Sequence, residues 1–149
     1  MTNASPTTSL TSEDSSRDVV LRAYELINAG MSEQAAEVIH PEYVNHERED
    51  RPGGVAGFQD GMKRLRSSFS DFRLEALDVI AEGDRVAART RFTATHDGQF
   101  KGIPPSGKAV SIQQIHVFRL QDGLIAEHWV CRDDIGLMRQ IGAIGGASL

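Results

Sequence analysis

Cysteine is nearly absent from the sequence, which contains one, Cys131. A single cysteine forms no internal disulfide and cannot supply the paired thiolates of a structural zinc site, so we interpret Cys131 as a small buried apolar side chain. Long apolar runs are absent as well. None reaches the roughly 18 residues of a membrane-spanning helix, and the N-terminus lacks the basic and apolar regions of a signal peptide. These absences favour a cytoplasmic protein.

The sequence also has no run of basic residues, and its 21 acidic side chains outnumber the 16 basic ones. Such a chain lacks the positive surface to which nucleic acids and anionic membranes bind. It lacks glycine-rich phosphate-binding motifs and the G-x-S-x-G motif of serine hydrolases. The five histidines are scattered, and the adjacent His46 and Glu47 would point to opposite faces of a strand. Nothing therefore predicts a metal site.

A chain of 149 residues suits one domain. Its first residues are rich in serine and threonine, and they carry too few large apolar groups to offset the entropy of ordering. We therefore predict a disordered tail over residues 1–14, a folded domain over residues 15–142 and a flexible, glycine-rich end over residues 143–149.

The first part of the domain has the periodicity of helices. Ser15 and Asp18 resemble a capping box at the start of a helix that Gly30 ends, and Ser32 can cap a short second helix. A short strand is predicted over residues 43–46. Farther on, apolar residues recur at spacings of 3, 4, 3 and 4, which indicates an amphipathic helix. These residues are Val55, Phe58, Met62, Leu65 and Phe69.

From Asp71 onward the period changes to two, which is typical of strands. The alternation changes parity after Ala76, as a β-bulge would cause, and turn signals occur at 82–84, 97–98 and 122–123. Helices followed by long strands with short turns indicate an α+β fold. A twisted and bulged antiparallel sheet curves strongly, so N-terminal helices across its open face would enclose a pocket.

Polar side chains occur on two strand faces that are otherwise apolar. Gln114 and His116 share a face with Phe118, and on the next strand His128 shares a face with Val130. Either these polar groups bond to the backbone or to one another in the core, or they converge in a ligand pocket. Histidine is the usual general acid or base near neutral pH, so the second interpretation points to proton transfer.

Other polar residues have a structural interpretation beside a functional one. His46 ends the first short strand and could reach the mouth of a pocket, whereas His96 precedes a turn and is expected to be solvated. Asp133 and Asp134 follow the last strand, where one of them is expected to cap the next helix, since a helix N-terminus favours negative charge.

Four stretches together resemble the SnoaL-like polyketide cyclases and ester cyclases, which belong to the nuclear transport factor 2-like, or cystatin-like, superfamily. The stretches are HPEYVNH (40–46), GDRVAARTRFTATHDGQFKGIPPSGK (83–108), QIHVFRLQDGLIAEHW (114–129) and DDIGLMRQIG (133–142). The resemblance runs from about Asp18 to Gly142 and is specific for the family rather than for one activity. It implies a cone-shaped fold with a deep apolar cavity, no cofactor, and assembly into homodimers or homotetramers.

The resemblance also implies roles for individual residues. The cyclases close a ring by an intramolecular aldol reaction, in which an Asp is acid and base while a Gln and a His hold the oxygens. Gln114 and His116 match that pair, and Asn45 matches a polar position at the pocket mouth. The catalytic Asp is replaced here by Val130, which cannot transfer a proton. Asp133 matches an acid found in many relatives.

Two hypotheses follow. The first is a cofactor-free enzyme that cyclises, isomerises or hydrates a carbonyl-rich, polyketide-like small molecule, with His116, His128 and Asp133 as catalytic candidates. The substrate-binding candidates are Gln114, Asn45, His46, Val130 and Phe118. The second hypothesis is a protein that binds a small molecule in the same pocket without chemistry, and Val130 is the argument for it. On the opposite sheet face, a set of apolar residues could pair subunits or pack against helices: Ile115, Val117, Ile125 and Trp129.

Overall fold

A computed structural model of the protein describes residues 11–145. The chain begins with helix α1 (Ser12–Ala29), a 3-10 helix (Ser32–Glu37), strand β1 (Ile39–Asn45) and helix α2 (Gly54–Ser68). Four strands follow, β2 (Arg73–Glu82), β3 (Arg85–Thr95), β4 (Ala109–Gln121) and β5 (Leu124–Arg132). A short helix α3 (Asp134–Gln140) comes last. The predicted α+β architecture is therefore confirmed.

Helix α1 starts one turn earlier than its predicted capping box. The box is formed by Thr11 and Asp14, whose backbone N–H groups each donate to the other residue's side chain. The prediction at Ser15 was wrong because Thr11 with Asp14 has the same residue pattern as Ser15 with Asp18. The box at Thr11 adds one turn to the helix. Gly30 ends α1 in a left-handed conformation with φ of 71°, as predicted. Residues 1–10 and 146–149 of the two predicted flexible ends lie outside the described residues.

The five strands form one open sheet in the order β1-β5-β4-β3-β2. Strands β2 to β5 are consecutive antiparallel neighbours, whereas β1 pairs in parallel with β5 at the edge. The first strand begins at Ile39, earlier than the predicted residue 43. It includes Pro41, which an edge strand with an irregular register can accommodate.

Two irregularities in the sheet decide which side chains point inward. The predicted bulge near Ala76 is confirmed by a register shift between Ala76 and Asp78. A second shift occurs beside Arg119 in the pairing of β4 with β5. Because of it, Ile125 lies on the inner face and is 1% exposed. Its predicted place on the outer face was therefore wrong.

Two further expectations about burial were wrong. His96, expected to be solvated, is fully buried, and its Nδ1 accepts a hydrogen bond from the backbone N–H of Ser106, 3.2 Å away. This bond holds the loop after β3 against the sheet. Cys131, expected to be buried, is exposed, because it lies opposite Ile115 on the outward rows of β4 and β5.

The hydrophobic core lies between α1 and the inner face of the sheet. Its largest members at one end are Phe69, Phe72 and Phe92, whose rings pack together with centroids 5.6–5.9 Å apart. Helix α2 packs the partly buried Val55, Phe58, Met62 and Leu65 against this core, and Ser68 is its one fully buried residue. Within residues 11–145, no helix is long and apolar enough to cross a membrane.

Candidate active site

A cavity of about 800 Å³ lies between the inner face of the sheet and helices α1 and α2. Strands β3, β4 and β5 form its floor, and apolar side chains of α1 and α2 form its walls. The loop after β1 contributes charged residues to its mouth, among them Arg48, Glu49 and Arg51. The volume lies within the range of cavities that enclose drug-sized organic ligands.

Four side chains on the cavity floor are joined in one chain of hydrogen bonds. Gln114 Oε1 lies 2.9 Å from His116 Nε2, and His116 Nδ1 lies 2.8 Å from His128 Nε2. His128 Nδ1 lies 3.3 Å from the hydroxyl of Tyr43. Gln114, His116 and His128 thus bond to one another and also line the cavity, so both interpretations of these polar groups hold, and Tyr43 extends the set.

With Gln114 Oε1 as the acceptor, the chain of bonds assigns one tautomer to each histidine. Because the Gln114 oxygen can only accept, His116 carries its proton on Nε2 and accepts at Nδ1. His128 then donates from Nε2, and its Nδ1 accepts from the Tyr43 hydroxyl. The amide N–H groups of Gln114 have no protein partner among the described residues and remain available to a ligand.

Burial keeps both histidines neutral near pH 7. It lowers the pKa of His116 to about 4, with a smaller effect from the positive charge of Arg132. It lowers the pKa of His128 to about 3, with smaller contributions from His116, Arg132 and His46. Burial also raises the pKa of the Tyr43 hydroxyl, so this group stays protonated as a donor.

Apolar and aromatic groups support the histidines. Phe118 stacks on both rings, with centroids 5.9 Å from His116 and 4.9 Å from His128. Tyr24 of α1 presents its ring edge to His116 and Phe118. Its buried hydroxyl, like that of Thr90, has no hydrogen-bond partner among the described residues.

Asn45 and Val130 also line the cavity, as expected for substrate-binding candidates. Val130 pairs with His116 across the β4–β5 ladder, so its side chain lies beside the imidazole pair. Asn45 pairs with His128 across the β1–β5 ladder, and its Oδ1 accepts a hydrogen bond from the backbone of Glu47. No acidic group stands at position 130.

His46, expected to bind substrate, lies outside the cavity. Its ring stacks on Trp129 at a centroid distance of 4.5 Å, and it is absent from the cavity lining. His46 Nδ1 lies 2.7 Å from Glu49, and its Nε2 lies 3.0 Å from Glu127. These two carboxylates raise the pKa of His46, the Glu127 bond contributing most. Since Asn45 points inward, strand alternation turns His46 outward.

The expectation that Asp133 acts catalytically fails because of its position. Asp133 is exposed and does not line the cavity. Its Oδ1 accepts a hydrogen bond of 2.8 Å from the backbone N–H of Gly136, and it is the N-cap of α3. The structural role predicted for this acid pair is therefore confirmed for Asp133.

Sequence reasoning missed the two tyrosines of the site. Tyr43 falls in the predicted strand over residues 43–46, and Tyr24 falls in the first predicted helix, but neither was linked to the histidines. Tyr43 is 85 residues from His128 in the chain, and the parallel β1–β5 pairing that joins them has no local signal. Within the described part of the chain, no group of three or more His, Cys, Asp or Glu side chains could hold a metal ion.

Together, the curved open sheet, the covering helices and the polar chain on the floor define an α+β protein with a cavity of the size that small organic ligands occupy. A family model described as SnoaL-like polyketide cyclase matches residues 17–141. The chain belongs to this family, and its fold is nuclear transport factor 2-like.

Individual relatives agree with this assignment. The aklanonic acid methyl ester cyclase DnrD of Streptomyces peucetius is 34% identical over 131 residues, which cover 84% of this chain and 89% of the relative. The nogalonic acid methyl ester cyclase of Streptomyces nogalater is 31% identical over 118 residues, covering 77% and 88%. The solved structure of TsrD from Streptomyces laurentii superposes with a TM-score of 0.83 at 31% identity, covering 91% of this chain and 100% of that one.

Proposed function

We propose that this protein is a polyketide cyclase that acts without a cofactor on a carbonyl-rich, polyketide-like molecule, by moving a proton from carbon to oxygen. The observation that carries the proposal is the hydrogen-bonded chain of Gln114, His116 and His128 on the floor of the cavity. The names of the relatives, which are cyclases of polyketide-type esters, support the reaction class.

In the proposed reaction, His128 Nδ1 is the base. Its contact with the Tyr43 hydroxyl is long, at 3.3 Å, so a substrate can displace this partner. Nδ1 takes a proton from a carbon beside a carbonyl, and the electron pair of the broken C–H bond moves onto the carbonyl oxygen as an enolate. The Nε2 proton of His128 shifts toward His116 Nδ1, so that the two rings share the positive charge.

The free amide N–H groups of Gln114 donate to the enolate oxygen. The enolate carbon then attacks a second carbonyl of the same molecule and forms the new C–C bond, and the histidine pair returns the proton to the alkoxide. Substrate and product are isomers, so no oxidant or other reactant is needed. Positioned acid–base groups contribute about 10²–10⁴-fold to a rate, and one oxyanion donor contributes about 10²–10³-fold.

The low pKa values of His116 and His128 are compatible with a basic role. They arise first from burial, which disfavours an isolated imidazolium. In the reaction the imidazolium forms beside an enolate, and a neighbouring negative charge favours the protonated form. The histidines are therefore neutral before the reaction and more basic as the transition state develops.

The second candidate function is small-molecule binding without chemistry. Val130 favours it, because family resemblance puts the proton-transferring Asp of the cyclases at this position. The two functions are separated by incubating the purified protein with polyketide-like and terpenoid-like ligands, followed by native mass spectrometry and product analysis. A bound ligand recovered as a cyclised isomer supports the enzyme, whereas recovery of every bound ligand unchanged supports the binding protein.

Assembly into a homodimer or homotetramer is part of the same proposal. An outward row crosses the four antiparallel strands, and its paired members are Ile80, Ala87, Val117 and Trp129. The neighbouring Ile115 is 51% exposed and Ile80 is 67% exposed, and contiguous exposed apolar surface favours association. Replacing Ile115 by Arg is expected to shift the mass measured by light scattering to that of a monomer, with the Ser111→Arg variant as the control on the same strand.

A further inference from the structure

Helix α2 has an apolar face that contacts both the core and the cavity. Phe58, Met62 and Leu65 are partly buried, pack against the core and also line the cavity. An amphipathic helix ordinarily buries its apolar stripe against other parts of the protein. The stripe of α2 does so in part, and its remaining surface borders the cavity.

Gly61 lies one turn from Phe58 and from Leu65 on the cavity-lining side of α2. It has a helical backbone, and a Cβ atom built at this position would meet no atom of residues 11–145 within 4 Å, so no described neighbour requires a glycine here. Glycine in a helix interior is less stable than alanine. Gly61 therefore weakens α2 without any steric gain for the fold itself.

Gly57, one turn earlier on the same helix, shows the contrast. A Cβ atom at Gly57 would lie 2.0 Å from the carbonyl oxygen of Pro52, so the fold excludes a side chain there. Both glycines line the cavity. The close approach of Pro52 requires a glycine at position 57, whereas no described atom near position 61 requires one there.

We infer that Gly61 is a specificity-determining residue, which leaves the backbone of α2 bare so that a flat, fused-ring ligand can lie against it. The inference rests on the proposed function for the class of ligand, and it adds the shape that the cavity selects. A side chain at position 61 narrows the cavity between α2 and the floor that carries Gln114. A ligand with a wide ring system then no longer fits the cavity, whereas a ligand with a narrower ring system still does.

The test compares the affinities of two stable ring compounds, 1,8-dihydroxyanthraquinone with three fused rings and 1-hydroxy-2-acetonaphthone with two. Equilibrium dialysis measures both dissociation constants for the wild type and the Gly61→Ala and Gly61→Leu variants. The control is Ala56→Leu, which adds the same side chain on the exposed face of α2, away from the cavity. Thermal unfolding is recorded for each variant.

We expect Gly61→Leu to weaken binding of the three-ring compound at least about 50-fold and that of the two-ring compound less than about threefold. Gly61→Ala raises Tm by about 2–4 °C through helix propensity and weakens binding of the three-ring compound about fivefold. Ala56→Leu changes neither affinity. Should Gly61→Leu fail to fold, the three-ring affinity of the Gly61→Ala variant tests the inference.

Three results would overturn the inference: unchanged three-ring affinity in the Gly61 variants, a lower Tm for Gly61→Ala, or no binding of either compound by the wild type. Because dialysis measures binding without turnover, the outcome is separate from that of the proposed catalysis. A protein that binds the three-ring compound through Gly61 but transforms no substrate would retain this inference and lose the proposed reaction.

Discussion

His116 and His128 form one hydrogen-bonded pair, with His116 Nδ1 2.8 Å from His128 Nε2 and the two ring planes 7° from parallel. A proton gained by either ring is therefore shared with the other, and the pair titrates as a unit. This pair is the candidate proton-transfer group of the proposed reaction, in a cavity whose position 130 is a valine.

Removing one ring from the pair tests the base. We expect His128→Gln to lower kcat/KM by about 10²–10⁴-fold, because Gln keeps polar atoms in place but cannot accept a proton from carbon. Steady-state kinetics and circular dichroism measure activity and fold. The matched control is His46→Gln, a histidine on the outer face, which should retain activity within about twofold. Equal losses in both variants would contradict the role of the pair.

The depressed pKa values predict how stability depends on pH. Unfolded histidines bind protons below about pH 6.5, whereas folded His116 and His128 resist protonation down to about pH 4 and about pH 3. The unfolded state therefore binds more protons in this range, and the free energy of unfolding falls as pH falls from about 6.5 to about 4. Denaturant unfolding at several pH values measures the slope.

Since other groups also titrate, the prediction concerns the difference between variants. The free energy of unfolding of His128→Gln should fall less steeply toward low pH than that of the wild type, because the variant lacks one buried imidazole that resists protonation. His46 has the opposite effect on how stability depends on pH. Its raised pKa gives stability that is present below about pH 6.5 and lost as pH rises through the folded pKa. An identical slope in wild type and His128→Gln would show that burial does not hold these rings neutral.

The capping role of Asp133 separates stability from activity. Asp133→Ala removes the hydrogen bond to the Gly136 N–H, and loss of such a cap costs about 0.5–2 kcal/mol. Catalysis should remain within about twofold of wild type, because Asp133 does not line the cavity. Chemical denaturation and kinetics of the same preparation check both statements. A loss of activity above about 100-fold with little loss of stability would return Asp133 to the catalytic set.

Val130→Asp adds a carboxylate beside His116. An adjacent negative charge favours imidazolium, so the pKa of His116 should rise toward its usual value, as measured by NMR titration of the ring. The Val130→Asn variant has nearly the same shape without the charge and should leave this pKa low. If the histidine pair does the chemistry, kcat/KM of the two variants should agree within about tenfold. Cyclase activity that appears in Val130→Asp and is absent from wild type would favour the binding protein.

The sequence predicted those parts of the site that an uninterrupted strand controls. Gln114, His116 and Phe118 alternate along β4 and all face the cavity, as the period of two indicates. Ile125 was misplaced because the register shift beside Arg119 is a backbone event without a local sequence signal. His96 was misplaced because the turn signal directly after it, at residues 97–98, was taken to indicate a solvated position.

The roles of Tyr43 and Tyr24 in the site could be recognised only from the structure. Tyr43 reaches His128 because an edge strand pairs in parallel with β5, and such long-range pairing cannot be deduced from periodicity. Tyr24 is a buried residue of α1, but its contact with His116 depends on how α1 crosses the sheet. The role of Gly61 was likewise invisible, since empty space beside a residue is a property of the folded chain.

The central claim is that this cavity removes a proton from carbon, and hydrogen–deuterium exchange at carbon tests it most directly. A carbonyl-rich polyketide-like ligand is incubated in D₂O with wild type, His128→Gln or His46→Gln, and deuterium beside the carbonyl is followed by NMR. We predict exchange at least about 100-fold above the protein-free rate for wild type and His46→Gln, and near the protein-free rate for His128→Gln. Tight binding by the wild type without accelerated exchange would contradict the account and leave a protein that binds its ligand without chemistry.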